Sequence, residues 1–183
     1  MTEETEAFRR VLSVLQDSQI EYMIVGSYAA SLHGFVRTTH DLDLVIALTR
    51  EQSDELAAAL GDEFYLDTES AREAVEQHDM FNAIHLDSGV KVDFWILKDD
   101  EFARTQFARR QCVEFEGVPA CVETAEDTIL SKLKWYRMTP SDRQLADVRG
   151  ILELQRDRLD WAYLRDWAKR QGVDDLLEAA SSG

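Results

Sequence analysis

The sequence predicts an α+β fold, a mixed β-sheet with flanking helices over residues 1–123 followed by a C-terminal helical segment over residues 124–183. Short apolar or alternating runs bounded by Gly, Asp and Ser interleave with stretches of helical apolar spacing through the first part. From Thr124 onward only helical spacing remains. With two prolines and no Gly/Ser-rich linker, the two parts are expected to pack as one unit, and 183 residues suffice for a substantial core.

The elements follow in order. Phe8, Val11, Leu12 and Leu15 recur at helical spacing and predict an amphipathic helix over residues 5–18. Tyr22 to Val25 reads as a short buried strand ending at Gly26-Ser27. Ala29 to His33 has helical composition, stopped by Gly34. Asp41 to Ala47 is the second strand, and Thr49 with Gln52 forms a capping box for a helix ending near Gly61. Phe64 to Leu66 is read as an edge strand and Glu69 to Gln77 as a short helix. Met80 to Leu86 and Val90 to Leu97 form a hairpin around Asp87-Ser88-Gly89. A helix is expected from Asp99 to about Arg110, then a second hairpin, Val113 to Phe115 and Val118 to Val122, around Glu116-Gly117. Thr124 with Asp127 is an N-cap signature, and helices over 124–138, 141–155, 160–171 and 173–180 complete the chain.

Composition narrows the function. Twenty basic against 36 acidic residues give a formal net charge of -16. That balance argues against a generic charge-driven grip on nucleic acid, since phosphate contacts need Lys and Arg. It leaves room for a local basic rim, and it also fits a plain solubility or salt adaptation. Cys112 and Cys121 flank the Glu116-Gly117 turn and could face each other across the hairpin. Without a targeting segment, two reduced core thiols are the expectation. No apolar run approaches the roughly 18 residues of a membrane span, and the acidic start MTEETEAFRR lacks a hydrophobic leader. A cytoplasmic protein with no membrane partner is expected.

The chemistry concentrates in IVGSYAASLHGFVRTTHDLDLVI, residues 24 to 46. Alternation along a strand points Asp41 and Asp43 to one face, with Leu42 and Leu44 on the other. Paired carboxylates on one face suit a hard divalent cation, Mg²⁺ or Mn²⁺, which binds through one or two carboxylates plus substrate phosphates. The strand looks largely buried, and two buried like charges require compensation; the alternative is an acidic strand edge facing water. Asp93, in KVDFWIL, could complete the set, although Lys91 shares its face and an ordinary ion pair is the alternative. Gly26-Ser27 would let the backbone approach a triphosphate, where N–H groups at a helix start receive anions; alone, the pair equally describes a plain strand-to-helix turn. Arg37 could hold a phosphate bidentately or tether the acidic strand.

This constellation resembles the nucleotidyltransferase superfamily of the DNA polymerase beta type, whose signature is a Gly-Ser turn, an Asp-x-Asp pair and a later Asp on a neighbouring strand. Gly26, Ser27, Asp41, Asp43 and Asp93 match it. Arg37-Thr38-Thr39, Ser131-Lys132-Leu133-Lys134-Trp135 and Arg143-Gln144-Leu145-Ala146-Asp147-Val148 resemble the AbiEii-like and MenT-like toxin branch. The resemblance implies a minimal nucleotidyltransferase core that moves a nucleoside monophosphate from an NTP to an acceptor. In that branch the acceptor is an RNA end such as tRNA, or a protein, and an antitoxin is a further partner. It implies Asp41, Asp43 and Asp93 as metal ligands, with two-metal phosphoryl transfer and Asp93 taking the hydroxyl proton. It also implies Lys132 at the triphosphate and Asp147 organising the site.

Several of these roles have plain competitors. On the helix, Lys132 and Lys134 flank the stripe of Ile129, Leu133 and Tyr136 on opposite sides, so only one faces inward. Lys132 could instead be a solvated surface lysine, and Asp147 could pair with Arg143 four residues earlier. His33 and His40 lack metal-ligand spacing and read as structural or orienting. Trp95, Trp161 and Trp167 read as packing anchors, with Trp135 the exception because it adjoins the lysines. Two other functions share the motif. Aminoglycoside nucleotidyltransferases carry a similar Arg-Thr run before Asp-x-Asp, and an acidic surface suits a polycationic small molecule. A non-catalytic antitoxin-like partner of the same fold usually shows a Gly-Ser-x-Ala-x-Gly loop, whereas here Gly34 falls much later.

Overall fold

The computed structural model describes residues 2–34, 40–115 and 117–182, and within them a seven-stranded sheet and nine α-helices. The chain divides into two units. One comprises Met1–Val25 with Thr39–Val122; the other comprises Gly26–Thr38 with Glu123–Gly183.

The first unit holds the sheet. Its strands are β1 (Glu21–Ile24), β2 (Asp41–Ala47), β3 (Phe64–Leu66), β4 (Met80–His85), β5 (Lys91–Ile96), β6 (Gln111–Phe115) and β7 (Val118–Val122), in the spatial order β3-β4-β5-β2-β1-β7-β6. β2 runs parallel to β5, and β1 runs parallel to β7. The other neighbours are antiparallel, so the sheet is mixed. Helices α1 (Glu3–Asp17), α3 (Arg50–Leu60), α4 (Thr68–Gln77) and α5 (Glu101–Arg109) belong to the same unit. Each starts at a side-chain cap: Thr2, Thr49, Asp67 and Asp100 accept backbone N–H bonds from the first turn. The capping box is reciprocal, since Thr49 N–H also donates to Gln52 Oε1 at 3.0 Å.

Burial follows the pleat. Leu42, Leu44 and Ile46 are fully buried on one side of β2, and Phe94 of β5 stacks on Phe81 at a centroid distance of 5.0 Å. The stripe Phe8, Val11, Leu12 and Leu15 of α1 is buried as its spacing requires, with α1 packed on α3 and β1.

The second unit is helical: α2 (Gly26–His33), α6 (Ala125–Met138), α7 (Asp142–Gln155), α8 (Trp161–Gln171) and α9 (Asp174–Ser181). α2 packs on α6 and α7, α6 on α8, and α9 on α7 and α8. Close approach explains Gly34. A Cβ there would stand 2.9 Å from Ile151 Cγ1 and 3.0 Å from Ile151 N, so a side chain at the end of α2 would push α7 away.

The structure departs from the sequence reading at several points, among them β6, which starts at Gln111 rather than Val113. α2 starts at Gly26 rather than Ala29, because Gly26 at φ +66° makes the turn directly out of the preceding segment. α5 is capped by Asp100 and not by Asp99. The two cysteines are not core thiols: Cys112 is exposed, Cys121 is half-buried, and they are partners across the β6–β7 hairpin. Of that hairpin's turn, Gly117 takes φ +79°, while Glu116 lies outside the described residues. Among the described residues no helix is long and apolar enough to cross a membrane.

Candidate active site

The sheet of the first unit brings the acidic residues onto one face. β2 and β5 pair in parallel with Asp43 opposite Asp93 and Asp41 opposite Lys91. Directly paired residues, and residues two apart on a strand, project to the same side. Asp41, Asp43, Lys91 and Asp93 therefore share a face, and Asn82 of β4, the partner of Asp93, extends it. Because the core lies behind Leu42, Leu44 and Ile46, only the back of β2 is buried. Asp41 is exposed and Asp43 half-buried, while Asp93 is 8% exposed. The strand is thus less enclosed than its apolar sequence suggests. β1 continues the arrangement, since Val25 N–H donates to the carbonyl of Asp43 at 3.0 Å.

Charge on this face is partly compensated from within. The Lys91 ammonium donates to Asp93 Oδ2 at 2.9 Å and lies 2.7 Å from Oδ1. Oδ1 is buried, and although the ammonium is in ionic contact, it accepts no directed hydrogen bond. The hydrogen bond to Asp93 raises the Lys91 pKa above its ordinary value, followed by the charges of Asp93, Asp41 and Asp43; burial opposes them. All three carboxylates therefore act on one cation.

Among the described residues no three His, Cys, Asp or Glu side chains close into a metal cage. The donor set nevertheless suits Mg²⁺. It is all oxygen, it lies on one sheet face, and it includes a buried carboxylate oxygen lacking a directed donor. Mg²⁺ retains waters and relies on substrate phosphates, so it needs only one or two of these carboxylates.

Gly26, Ser27, Lys132 and Asp147 fall in the second unit. Gly26 and Ser27 open α2, where the first-turn N–H groups have no intrahelical acceptors. Ser31 donates back to the Ser27 carbonyl at 2.9 Å. Lys132 on α6 is 6% exposed, which excludes the solvated reading, whereas Lys134 is exposed. Lys132 pairs with Asp147 of α7 at 2.8 Å and donates to Gln144 Oε1 at 3.4 Å, so the Asp147 carboxylate has an interhelix partner. Arg37, with Thr38 and Thr39, lies outside the described residues. His33 is structural: its Nε2 donates to the Glu123 carbonyl at 2.6 Å, and its own carbonyl accepts from Gln155. His40 is exposed, 3.6 Å from Glu4. Trp167 is buried, Trp95 and Trp161 are half-buried, and Trp135 is 46% exposed.

Sequence reasoning missed a buried acidic network at the start of α6. Asp127 is fully buried and accepts from Tyr163 Oη at 2.6 Å and from Thr124 Oγ1 at 2.8 Å. Glu126 accepts from the Asp160 N–H at the cap of α8. Glu123 accepts from Ser131 at 2.8 Å, and burial pushes its pKa up to about 8, with Asp127's charge adding to the rise and the Ser131 bond opposing it. The Thr124/Asp127 cap was visible in the sequence. Tyr163, 36 residues on, was not.

Comparison with known structures places the fold. The crystal structure of ANT(2")-Ia in complex with adenylyl-2"-tobramycin is 16% identical with a TM-score of 0.56, over 99% of this chain and 98% of that one. An antigenic nucleotidyltransferase-like protein from Paracoccidioides brasiliensis is 14% identical with a TM-score of 0.59, over 100% and 94%. The lincosamide antibiotic adenylyltransferase LnuA, lincomycin-bound, is 9% identical with a TM-score of 0.55, over 84% and 98%. At these identities the likeness is one of fold. No curated protein matches the chain in sequence. A family description, "Nucleotidyltransferase of unknown function (DUF6036)", matches residues 5–180, and the chain belongs to that family.

Proposed function

We propose that the protein transfers a nucleoside monophosphate from an NTP to a hydroxyl of a small, amine-rich acceptor, with Asp41, Asp43 and Asp93 as the metal-holding carboxylates. The observation that carries this is the in-register pairing of Asp43 with Asp93, with Asp41 two residues along the same face. Mg²⁺ or Mn²⁺ bound there supplies charge neutralisation for the triphosphate and acidifies the attacking hydroxyl. Asp93 is the group assigned to receive the hydroxyl proton, and Lys91, hydrogen-bonded to it, is the resident cation that competes with the metal for that carboxylate. Gly26 and Ser27, at the start of α2, are the residues that the family resemblance assigns to the phosphates. Lys132 and Asp147 serve by joining α6 to α7.

Two observations favour a small cationic acceptor over the RNA end, protein or antitoxin partner of the toxin-branch resemblance. A formal net charge of -16 repels polyanions and attracts amines. Two neighbours that match nearly end to end on their own side carry tobramycin and lincomycin in their descriptions. The test is Mg²⁺-dependent transfer from each of the four radiolabelled NTPs to an aminoglycoside panel, bulk tRNA and a protein extract. Label on the small molecules supports the reading. Label on tRNA or protein restores the toxin-type acceptor, and neither transfer nor NTP binding would leave a non-catalytic partner.

A further inference from the structure

The β6–β7 hairpin carries a feature that nucleotidyl transfer does not use. Cys112 and Cys121 are direct cross-strand partners, and their Sγ atoms lie 3.8 Å apart. The pair type follows from the register. Phe115 pairs with Val118 across a two-residue turn, the position that closes a hairpin with exchanged hydrogen bonds. Counting back, hydrogen-bonded and non-hydrogen-bonded pairs alternate, so Glu114/Pro119 and Cys112/Cys121 are non-hydrogen-bonded pairs. Pro119 agrees, having no N–H to give, and its carbonyl turns away to accept from Gln16 Nε2 at 2.7 Å. Non-hydrogen-bonded partners have the closer Cα atoms, about 4.5 Å apart, inside the range a disulfide spans.

We infer that Cys112 and Cys121 form a modification site, a dithiol that closes into an intramolecular disulfide on meeting a low-molecular-weight disulfide. Cys112 is exposed and takes the first step: its thiolate attacks one sulfur of R–S–S–R, that bond breaks, and RS⁻ leaves and is protonated. Cys121 then gives up its proton and attacks the Cys112 sulfur of the mixed disulfide, expelling the second RS⁻. Two protein thiols are oxidised by two electrons and one small disulfide is reduced to two thiols. The order of attack fits the surroundings. Burial, with Cys112 next to it, pushes the Cys121 thiol up, and Arg110 only partly opposes this. The crosslink would tie β6, the last strand in the sheet order, to β7, which pairs with β1.

This inference is independent of the acceptor and of the metal. The full chain is incubated with excess oxidised glutathione and followed by intact mass and maleimide labelling. Wild type is expected to lose two hydrogen masses and both labelling sites as a monomer, recovering both on treatment with dithiothreitol. Cys121→Ser is expected to stop at one stable glutathione adduct on Cys112, and Cys112→Ser to react more slowly. Stable glutathione adducts on wild type, crosslinked dimers in place of the closed monomer, or wild-type thiols that stay free would each overturn it.

Discussion

Asp43 and Asp93 face each other in register across two parallel strands. Antiparallel strands can be joined by a tight turn, but a parallel pair is assembled from distant segments. Here fifty residues of chain separate the two carboxylates, and both arrive on the side of the sheet away from Leu42, Leu44 and Ile46. Asp43→Asn or Asp93→Asn should lower metal-dependent transfer on the order of a thousandfold, because several kcal/mol of charge stabilisation is lost. In chelator-treated buffer Asp43→Asn should melt at or above the wild-type temperature, since it relieves repulsion between neighbouring acids. A melt well below wild type would make Asp43 a structural residue.

Lys91 balances this face while remaining partly open to water. Its side chain is 39% exposed, so the Asp93 pair contributes about 1 kcal/mol or less. Lys91→Met should therefore tighten Mn²⁺ binding severalfold, measured by calorimetry or by the free-ion EPR signal, because a competing cation is removed. In metal-free buffer the same variant should melt lower, with the carboxylates left uncompensated. Weaker Mn²⁺ binding would show that Lys91 shapes Asp93 for the metal instead of competing with it.

Local patterns in the sequence reached the elements but not their neighbours. Alternation fixed the limits of β2 at Asp41 and Ala47, and the Thr49/Gln52 pair marked the start of α3, because both signals lie within a few residues. The parallel partner of β1 is β7, almost a hundred residues away, and no local periodicity encodes that choice. The same limit governs the candidate site. Asp41, Asp43 and Asp93 were legible because acids in an apolar strand are conspicuous, and Lys91 because it sits two residues from Asp93. The burial of Lys132 by Asp147, and of Asp127 by Tyr163, depends on helix packing that spacing alone leaves open.

Lys132 and Asp147 are both less than a tenth exposed, so neither charge has water to fall back on. Lys132→Met should cost about 3–5 kcal/mol in urea unfolding by leaving Asp147 charged, buried and short of its cation. The double variant Lys132→Met/Asp147→Leu should recover most of that loss, since replacing both members of a buried pair with apolar groups is often nearly neutral. Lys134→Ala, on the exposed side of α6, should stay within about 0.5 kcal/mol. If NTP affinity also drops for Lys132→Met under conditions where it is folded, while Lys134→Ala binds as wild type, the lysine acts on the triphosphate as well as on Asp147.

Glu123 makes stability depend on pH in a direction opposite to most carboxylates. Its folded pKa of about 8 stands above the ordinary 4.5, chiefly through burial. Between those values the folded chain holds a proton that the unfolded chain has released, so unfolding becomes easier as pH rises. The contribution is complete below about pH 4.5, declines through the window up to about 8, and is gone above it. Its full size is on the order of a few kcal/mol. Glu123→Gln keeps the shape and the acceptor for Ser131 but cannot ionise. Plotted as the difference between variant and wild type, its melting temperature should rise steadily across that window and level off above it. A flat difference would mean that Glu123 is charged in the folded protein, with its cost met by Ser131, Thr128 and Lys132 instead.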